Sequence, residues 1–143
     1  LGQFDGRIWI DDSYATAPSA TIAAMQSISN PFILIVGGSS KGYGFLDLAE
    51  AILDHPPRVI IHIGQTGHEI KAVVENFARK NQLPAPQFID GGETMPEIIQ
   101  HALKSSNAGD TILFSPASAS FGLFNNARDR AEQFVRQVSA LKN

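Results

Sequence analysis

The chain has 143 residues, of which 43% are hydrophobic and 17% charged, and this composition predicts one compact domain with its own core. The formal net charge of −3 provides no general attraction to nucleic acid or to an anionic membrane surface. No apolar stretch approaches the roughly 20 residues that cross a bilayer. Since the chain has no cysteine, disulfides and thiolate metal sites are excluded, and we expect a cytoplasmic location.

The first residues predict a β-hairpin. Asp5-Gly6 is a strong signal for a two-residue turn, and the apolar residues after it predict a strand over 7–10. A hairpin also needs a strand before its turn, and only four residues precede this one. We therefore expect residues 1–143 to be a single domain of a larger protein whose chain continues upstream.

Beyond the hairpin, short apolar runs alternate with helical periods. The runs predict strands over 32–36, 58–63, 87–89 and 111–114. Apolar residues three and four positions apart predict five helices, the first beginning near Pro18. The helical positions expected to face the core are, in chain order, Ile22, Met25 and Ile28; Phe45, Leu48, Ala49 and Ile52; Ile70, Val73, Val74 and Phe77; Met95, Ile98, Ile99 and Ala102; Ala131, Phe134, Val135 and Val138.

This alternation predicts an α/β fold: a Rossmann-like, doubly wound, mostly parallel sheet with one antiparallel edge and helices on both faces. In such sheets ligands bind beyond the carboxyl ends of the strands. Three polar loops directly follow predicted strands, at residues 11–16, 37–41 and 115–120. We call them the first, second and third loop, and we expect them to converge on one site.

The second loop raises the question of phosphate binding. Its sequence Gly-Gly-Ser-Ser-Lys follows an apolar strand, as glycine-rich phosphate loops do. A P-loop requires Ser or Thr after its lysine, whereas Lys41 is followed by Gly42. A dinucleotide fingerprint requires a glycine spacing that the adjacent Gly37 and Gly38 do not have. These residues therefore allow two interpretations of the second loop. It is either a strand-to-helix turn with a solvated lysine or an anion-binding site.

The other two loops are polar in different ways. The first, Asp-Asp-Ser-Tyr-Ala-Thr, favours capping of the helix that follows when it is considered alone. The third, Ser-Pro-Ala-Ser-Ala-Ser, is a run of small residues that a ligand can approach closely, with hydroxyls that donate to carboxylates. The sequence has no Gly-x-Ser-x-Gly motif, and its four histidines lack metal-ligand spacing. The residues therefore predict neither a nucleophilic triad nor a metal site.

Taken together, the loops carry a family resemblance. Asp-Ser-x-Ala-Thr-x-Pro, then Gly-Gly-x-x-Lys, then Ser-Pro-Ala-x-Ala-Ser-Phe followed by Phe124, Asn126 and Arg130, resemble the C-terminal domain of the Mur ligases that add D-glutamate. The resemblance extends over about residues 7–134. The ATP-binding Gly-Lys-Thr/Ser loop and the UDP-sugar domain of that family lie outside this sequence, in agreement with a chain that continues upstream.

The resemblance implies an ATP-dependent ligase of peptidoglycan synthesis, and thus of cell wall biogenesis, cell shape and cell division. Such an enzyme adds D-glutamate to UDP-N-acetylmuramoyl-L-alanine through an acyl phosphate, using ATP and Mg2+, and its C-terminal domain closes over ATP against the N-terminal and central domains. The resemblance implies that Thr16 and Lys41 bind the α-carboxylate of D-glutamate and that Ser120 binds the side-chain carboxylate. It places Asp12 and Tyr14 at the ATP. It implies no catalytic residue here, so the isolated domain is expected to be inactive.

Three positions depart from the family pattern. Tyr14 stands where the family usually has lysine, Ala127 where it has an aromatic residue, and Gly122 where an acidic residue is common. The chain also lacks the Asp-Asn-Pro-Arg run of relatives that add diaminopimelate. Two other interpretations stay open: a stand-alone nucleotide-binding module in which residues 37–41 cradle phosphate, and a non-catalytic relative that kept the fold and lost the site.

Overall fold

A computed structural model describes residues 1–141, which contain a six-stranded sheet and five helices. The strands are β1 (Gly2–Phe4), β2 (Arg7–Asp11), β3 (Phe32–Gly38), β4 (Val59–Ile63), β5 (Gln87–Asp90) and β6 (Thr111–Phe114). The helices are α1 (Pro18–Gln26), α2 (Leu46–Asp54), α3 (Gly64–Lys80), α4 (Met95–Ser105) and α5 (Ala127–Ser139). Among these five, no helix combines the length and the apolar character that a membrane crossing requires.

The sheet has the predicted mostly parallel arrangement. Its strands lie in the order β1-β2-β6-β3-β4-β5, and β1 pairs antiparallel with β2 while every other neighbouring pair is parallel. The antiparallel edge is closed by the Asp5-Gly6 turn. Both turn residues have a positive φ, 50° at Asp5 and 73° at Gly6, as a type I′ hairpin turn requires.

Helices cover both faces of the sheet, which confirms the doubly wound prediction. On one face α4 and α5 contribute Ile98 and Phe134 to a core with Trp9. On the other face α2 and α3 contribute Leu48 and Ile70 to a second core, which α1 also joins. A strand covered on both sides is apolar along its length, and all seven residues of β3 are buried.

Three of the predicted core positions on the helices differ from the structure. Val135 was expected in the core and is 36% exposed, because α5 packs through Ala131, Phe134 and Val138 and Val135 lies at the margin of that face. Ile28 and Phe45 are buried as expected, but Ile28 lies beyond the end of α1 and Phe45 lies just before the start of α2. Apolar spacing located these three helices correctly and was less accurate at the ends and edges of their buried faces.

Strand β3 is two residues longer than predicted, because its terminal glycines allow neighbouring backbones to come very close. A Cβ added at Gly37 would lie 2.1 Å from the carbonyl oxygen of Ile63, and one added at Gly38 would lie 2.2 Å from that of Ala119. Both glycines also have a positive φ, 118° and 157°. Glycine is therefore required at these two positions by packing.

We expect Gly37→Ala to lower the free energy of unfolding by about 3 kcal/mol or more, since the new methyl group overlaps a backbone oxygen and the φ is unfavourable for an L-residue. Gly44→Ala is the matched control, because no atom lies within 4 Å of its added Cβ. This control should stay within about 0.5 kcal/mol of the wild type. Urea denaturation measures both, and equal losses of stability would contradict the packing argument.

Candidate functional site

The three polar loops meet at the carboxyl edge of the sheet, as predicted. They follow β2, β3 and β6, which are adjacent and parallel, with β6 in the middle. Backbone hydrogen bonds continue past the strand ends. The amide of Gly37 donates to the oxygen of Pro116 at 2.8 Å, and Ser39 and Ala119 exchange two bonds at 2.8 and 3.1 Å. The second and third loops are therefore paired along their backbones.

The first loop is held by the third loop and does not cap α1. The N-cap residue of α1 is Ala17, which makes no side-chain hydrogen bond, so the capping interpretation is wrong. Instead, Asp12 Oδ2 accepts a hydrogen bond from the Ser115 hydroxyl at 2.7 Å. Ser115 Oγ in turn lies 2.9 Å from Thr21 Oγ1 in α1. The carboxylate is thus anchored across the sheet edge.

Two of the five amides of the second loop are bonded to the third loop and are not available to a phosphate. The N–H groups of Gly37 and Ser39 donate to carbonyl groups of the third loop, and the N–H of Gly42 donates to Ser40 Oγ at 3.1 Å. The Lys41 side chain is exposed, and it forms no ion pair with any residue of 1–141. This geometry favours an anion contact by the lysine side chain over a backbone phosphate site.

The third loop lines the edge with buried hydroxyl groups. Ser115, Ser118 and Ser120 are 0, 2 and 4% exposed. Ser118 Oγ lies 2.6 Å from the hydroxyl of Thr66 near the start of α3. Ser120 does not cap α5, because the N-cap is Asn126, whose side chain accepts from an amide of the first helical turn at 2.7 Å. Capping therefore does not explain the serine at position 120.

The residues with implied ligand roles lie on these loops and differ in exposure. Thr16 is half-buried, Lys41 is exposed and Ser120 is buried, and none of the three side chains takes part in a hydrogen bond or ion pair within residues 1–141. Asp12 is half-buried, and Tyr14 is 62% exposed. The topology brings the backbones of all five to one edge.

Arg130 is a central residue of this region whose position the sequence patterns did not identify. It is fully buried in the first turn of α5, where Nη1 donates to Ser118 O at 3.0 Å and Nη2 donates to Ser13 O at 2.6 Å. Burial lowers its pKa to about 10, an effect that the nearby negative charge of Asp11 opposes. The available signal was its spacing, since Arg130 lies one turn before the core residue Phe134.

The cavity of about 640 Å³ in this structure does not lie at the edge where the three loops meet. This cavity lies between α1, α2 and α3, lined by Glu50 and Phe77 among others, and contains no residue of the three loops. A smaller one of about 290 Å³ adjoins the edge near His68 and Asp90. Residues 1–141 contain no group of three or more His, Cys, Asp or Glu side chains that could hold a metal ion. The converging loops therefore define the candidate site.

Comparison with known proteins agrees with the loop motifs. Residues 1–118 match the family described as the Mur ligase, glutamate ligase domain, a match that ends inside the third loop. The chain is 38% identical over 141 residues, 96% of its length, to the UDP-N-acetylmuramoylalanine--D-glutamate ligase of Hahella chejuensis. It is 34% identical over 142 residues, 99% of its length, to the ligase of the same name from Nitrosospira multiformis.

The chain spans 29% and 28% of the length of these two relatives. Among solved structures, the murein peptide ligase of Psychrobacter arcticus has a similar fold, with a TM-score of 0.63 and 15% identity, over 100% of this chain and 30% of that one. This likeness supports the fold alone. The family match covers most of the chain, and the chain therefore belongs to the Mur ligase glutamate ligase domain family.

Proposed function

We propose that this chain is the C-terminal, D-glutamate-binding domain of an ATP-dependent ligase that adds D-glutamate to UDP-N-acetylmuramoyl-L-alanine in peptidoglycan synthesis. Family membership and the names of the relatives support the ligase class. In this proposal residues 1–143 form one domain, while the N-terminal and central domains of the same protein supply the phosphate loop and the UDP-sugar site. The domain alone is then inactive.

The proposal rests on three polar side chains at one sheet edge that form no hydrogen bond or ion pair within residues 1–141. Thr16, Lys41 and Ser120 come from three different loops, and residues 1–141 provide no internal partner for them. By contrast, Asp12 and Ser115 at the same edge are bonded to each other. A cation and two hydroxyls suit a ligand with two carboxylates, since charge-assisted contacts contribute about 1.5–3 kcal/mol each.

The proposed contacts orient the amine of D-glutamate. Lys41 and Thr16 bind the α-carboxylate, and Ser120 binds the side-chain carboxylate. The neutral amine then attacks the carbonyl carbon of the acyl phosphate formed on UDP-N-acetylmuramoyl-L-alanine; an amide bond forms and phosphate leaves. Because the loops follow strands of one sheet, the two carboxylate contacts are held in fixed relation, and such orientation lowers the barrier substantially.

The first loop fits a nucleotide contact in the same proposal. One oxygen of Asp12 accepts from Ser115, which leaves the second carboxylate oxygen, on a half-buried side chain, to accept from a nucleotide hydroxyl. The phenol of Tyr14 is 62% exposed on the same loop, where it can lie against ATP. In this proposal ATP phosphorylates the carboxyl group of UDP-N-acetylmuramoyl-L-alanine to give the acyl phosphate. We assign Mg2+ to the nucleotide and the other domains, since residues 1–141 contain no group of metal ligands.

The direct test is ligation by the complete protein that carries this chain. With ATP, Mg2+ and UDP-N-acetylmuramoyl-L-alanine present, we expect phosphate release when D-glutamate is added and little release with D-alanine, which lacks the side-chain carboxylate. A phosphate-release assay with product detection by mass spectrometry measures both. Absence of ligation with D-glutamate would contradict the proposal, and ATP hydrolysis independent of any amino acid would favour a nucleotide-binding module.

Lys41→Ala should raise the KM for D-glutamate roughly 10- to 100-fold while the KM for ATP changes little, because a charge-assisted contact to the ground-state carboxylate is lost. Steady-state kinetics of the complete protein measures both constants. Lys80→Ala is the matched control, since that exposed lysine lies at the last residue of α3. Equal increases for both substrates in Lys41→Ala would instead support the phosphate-binding interpretation.

Ser120→Ala and Thr16→Ala should separate the two carboxylate contacts. Ser120→Ala should reduce the preference for D-glutamate over D-alanine by roughly 1–3 kcal/mol, the cost of an unmet polar partner. Thr16→Ala should weaken the binding of D-glutamate and of D-alanine alike, because each carries the α-carboxylate. Competition kinetics with the two amino acids gives the ratio directly. A lower melting temperature for Ser120→Ala with an unchanged ratio would show that Ser120 has only a structural role.

A further inference from the structure

Arg130 connects the two loops that carry opposite ends of the proposed D-glutamate site. Its Nη2 donates to Ser13 O in the first loop at 2.6 Å, and its Nη1 donates to Ser118 O in the third loop at 3.0 Å. We propose that Arg130 is a positioning residue that sets the spacing between the contacts for the two substrate carboxylates. This inference rests on the proposed function and gives Arg130 no contact with substrate.

Helix α5 holds the guanidinium in a fixed place. The helix packs on the sheet through Phe134, whose ring centroid lies 4.8 Å from that of Phe114 and 6.1 Å from that of Trp9. Arg130 lies one turn earlier on the same buried face. A guanidinium is planar and donates in two set directions, so a fixed Arg130 also fixes the two carbonyl groups that it binds.

Core stability alone does not account for an arginine at this position. The side chain is fully buried, forms no ion pair within residues 1–141, and leaves its Nε without a hydrogen-bond partner there. The hydroxyl of Ser13, next to the bound carbonyl, is also buried and has no partner within residues 1–141. Burying a charge that has no counter-ion is costly, and an apolar side chain at this position would avoid that cost. An apolar side chain would, however, lose the two hydrogen bonds from the guanidinium to the first and third loops. We call this pair of bonds the fork.

The fork acts close to the proposed contacts. Thr16 follows Ser13 by three residues, and Ser120 follows Ser118 by two. A change in the distance between the two bound carbonyls therefore alters the distance between the contact for the α-carboxylate and the contact for the side-chain carboxylate. D-Glutamate holds its carboxylates at a limited range of separations, so its binding depends on that distance.

The contact proposed between Asp12 and ATP is anchored separately. The amide of Asp12 donates to Phe114 O at 2.9 Å, and its carboxylate accepts from Ser115 at 2.7 Å. Neither bond involves Arg130. Loss of the fork is therefore expected to raise the KM for D-glutamate far more than the KM for ATP. A general loss of stability would instead change both constants alike.

The test compares Arg130→Lys and Arg130→Met with Leu48→Ala in the complete protein that carries this chain. Lysine keeps the charge but loses the fork, and methionine is an apolar side chain of similar length that removes both. Leu48 is buried in the core on the other face of the sheet, so Leu48→Ala lowers stability without altering the packing of α5 and serves as the control. The readouts are the KM values for D-glutamate and ATP, and amide hydrogen exchange in residues 12–16 and 116–121.

Both Arg130 variants should raise the KM for D-glutamate roughly 10- to 100-fold, leave the KM for ATP within about threefold, and speed exchange in both loops. Leu48→Ala should leave the ratio of the two KM values unchanged. A wild-type KM for D-glutamate in Arg130→Lys, or unchanged loop exchange in both variants, overturns the inference. If the wild-type protein does not ligate D-glutamate, the proposed function fails, and loop exchange still decides whether Arg130 positions the loops.

Discussion

The functional edge depends on the close contact between the end of β3 and the third loop. The amides of Gly37 and Ser39 donate to carbonyl groups of that loop, and glycine at 38 lets the loop approach more closely than any side chain would allow. Glycine at 37 does the same for the backbone at Ile63. Glycines after a buried strand often cradle phosphate, but here their neighbourhood is filled by protein backbone. In the proposed site, anion recognition therefore depends on side chains, and Lys41 is the exposed cation of the second loop.

The first loop is held at two points by different parts of the chain. At its start, Asp12 bonds to the third loop through Ser115, whose hydroxyl also lies near Thr21 of α1. One residue later, the carbonyl of Ser13 is bound by Arg130 from α5. Unmade bonds at buried polar groups cost about 1–3 kcal/mol each, so both attachments restrict the loop strongly. A nucleotide contact and an amino-acid contact can therefore share one short loop without being coupled to the same anchor.

Local signals were sufficient to predict the fold, and long-range contacts limited the prediction of the site. The strand Thr111–Phe114 was predicted with its exact bounds because buried strands are continuous apolar runs. The convergence of the loops followed from the rule for parallel sheets. The capping interpretation failed because the partner of Asp12 lies 103 residues away. The sequence identifies Arg130 only as part of a motif, because charged residues are rarely buried. No local pattern indicates that a side chain will donate to two carbonyl groups in distant loops.

Arg130 and Lys41 differ in burial, and this difference gives them different roles at the edge. Arg130 is fully buried and donates to backbone carbonyls, so its charge is used within the protein. Lys41 is exposed, and its attraction for a carboxylate is weakened by water and salt. The same attraction becomes stronger when water is excluded. In the proposed enzyme another domain closes over this edge, so the isolated chain should bind D-glutamate weakly and most of the contribution of Lys41 should develop only on closure.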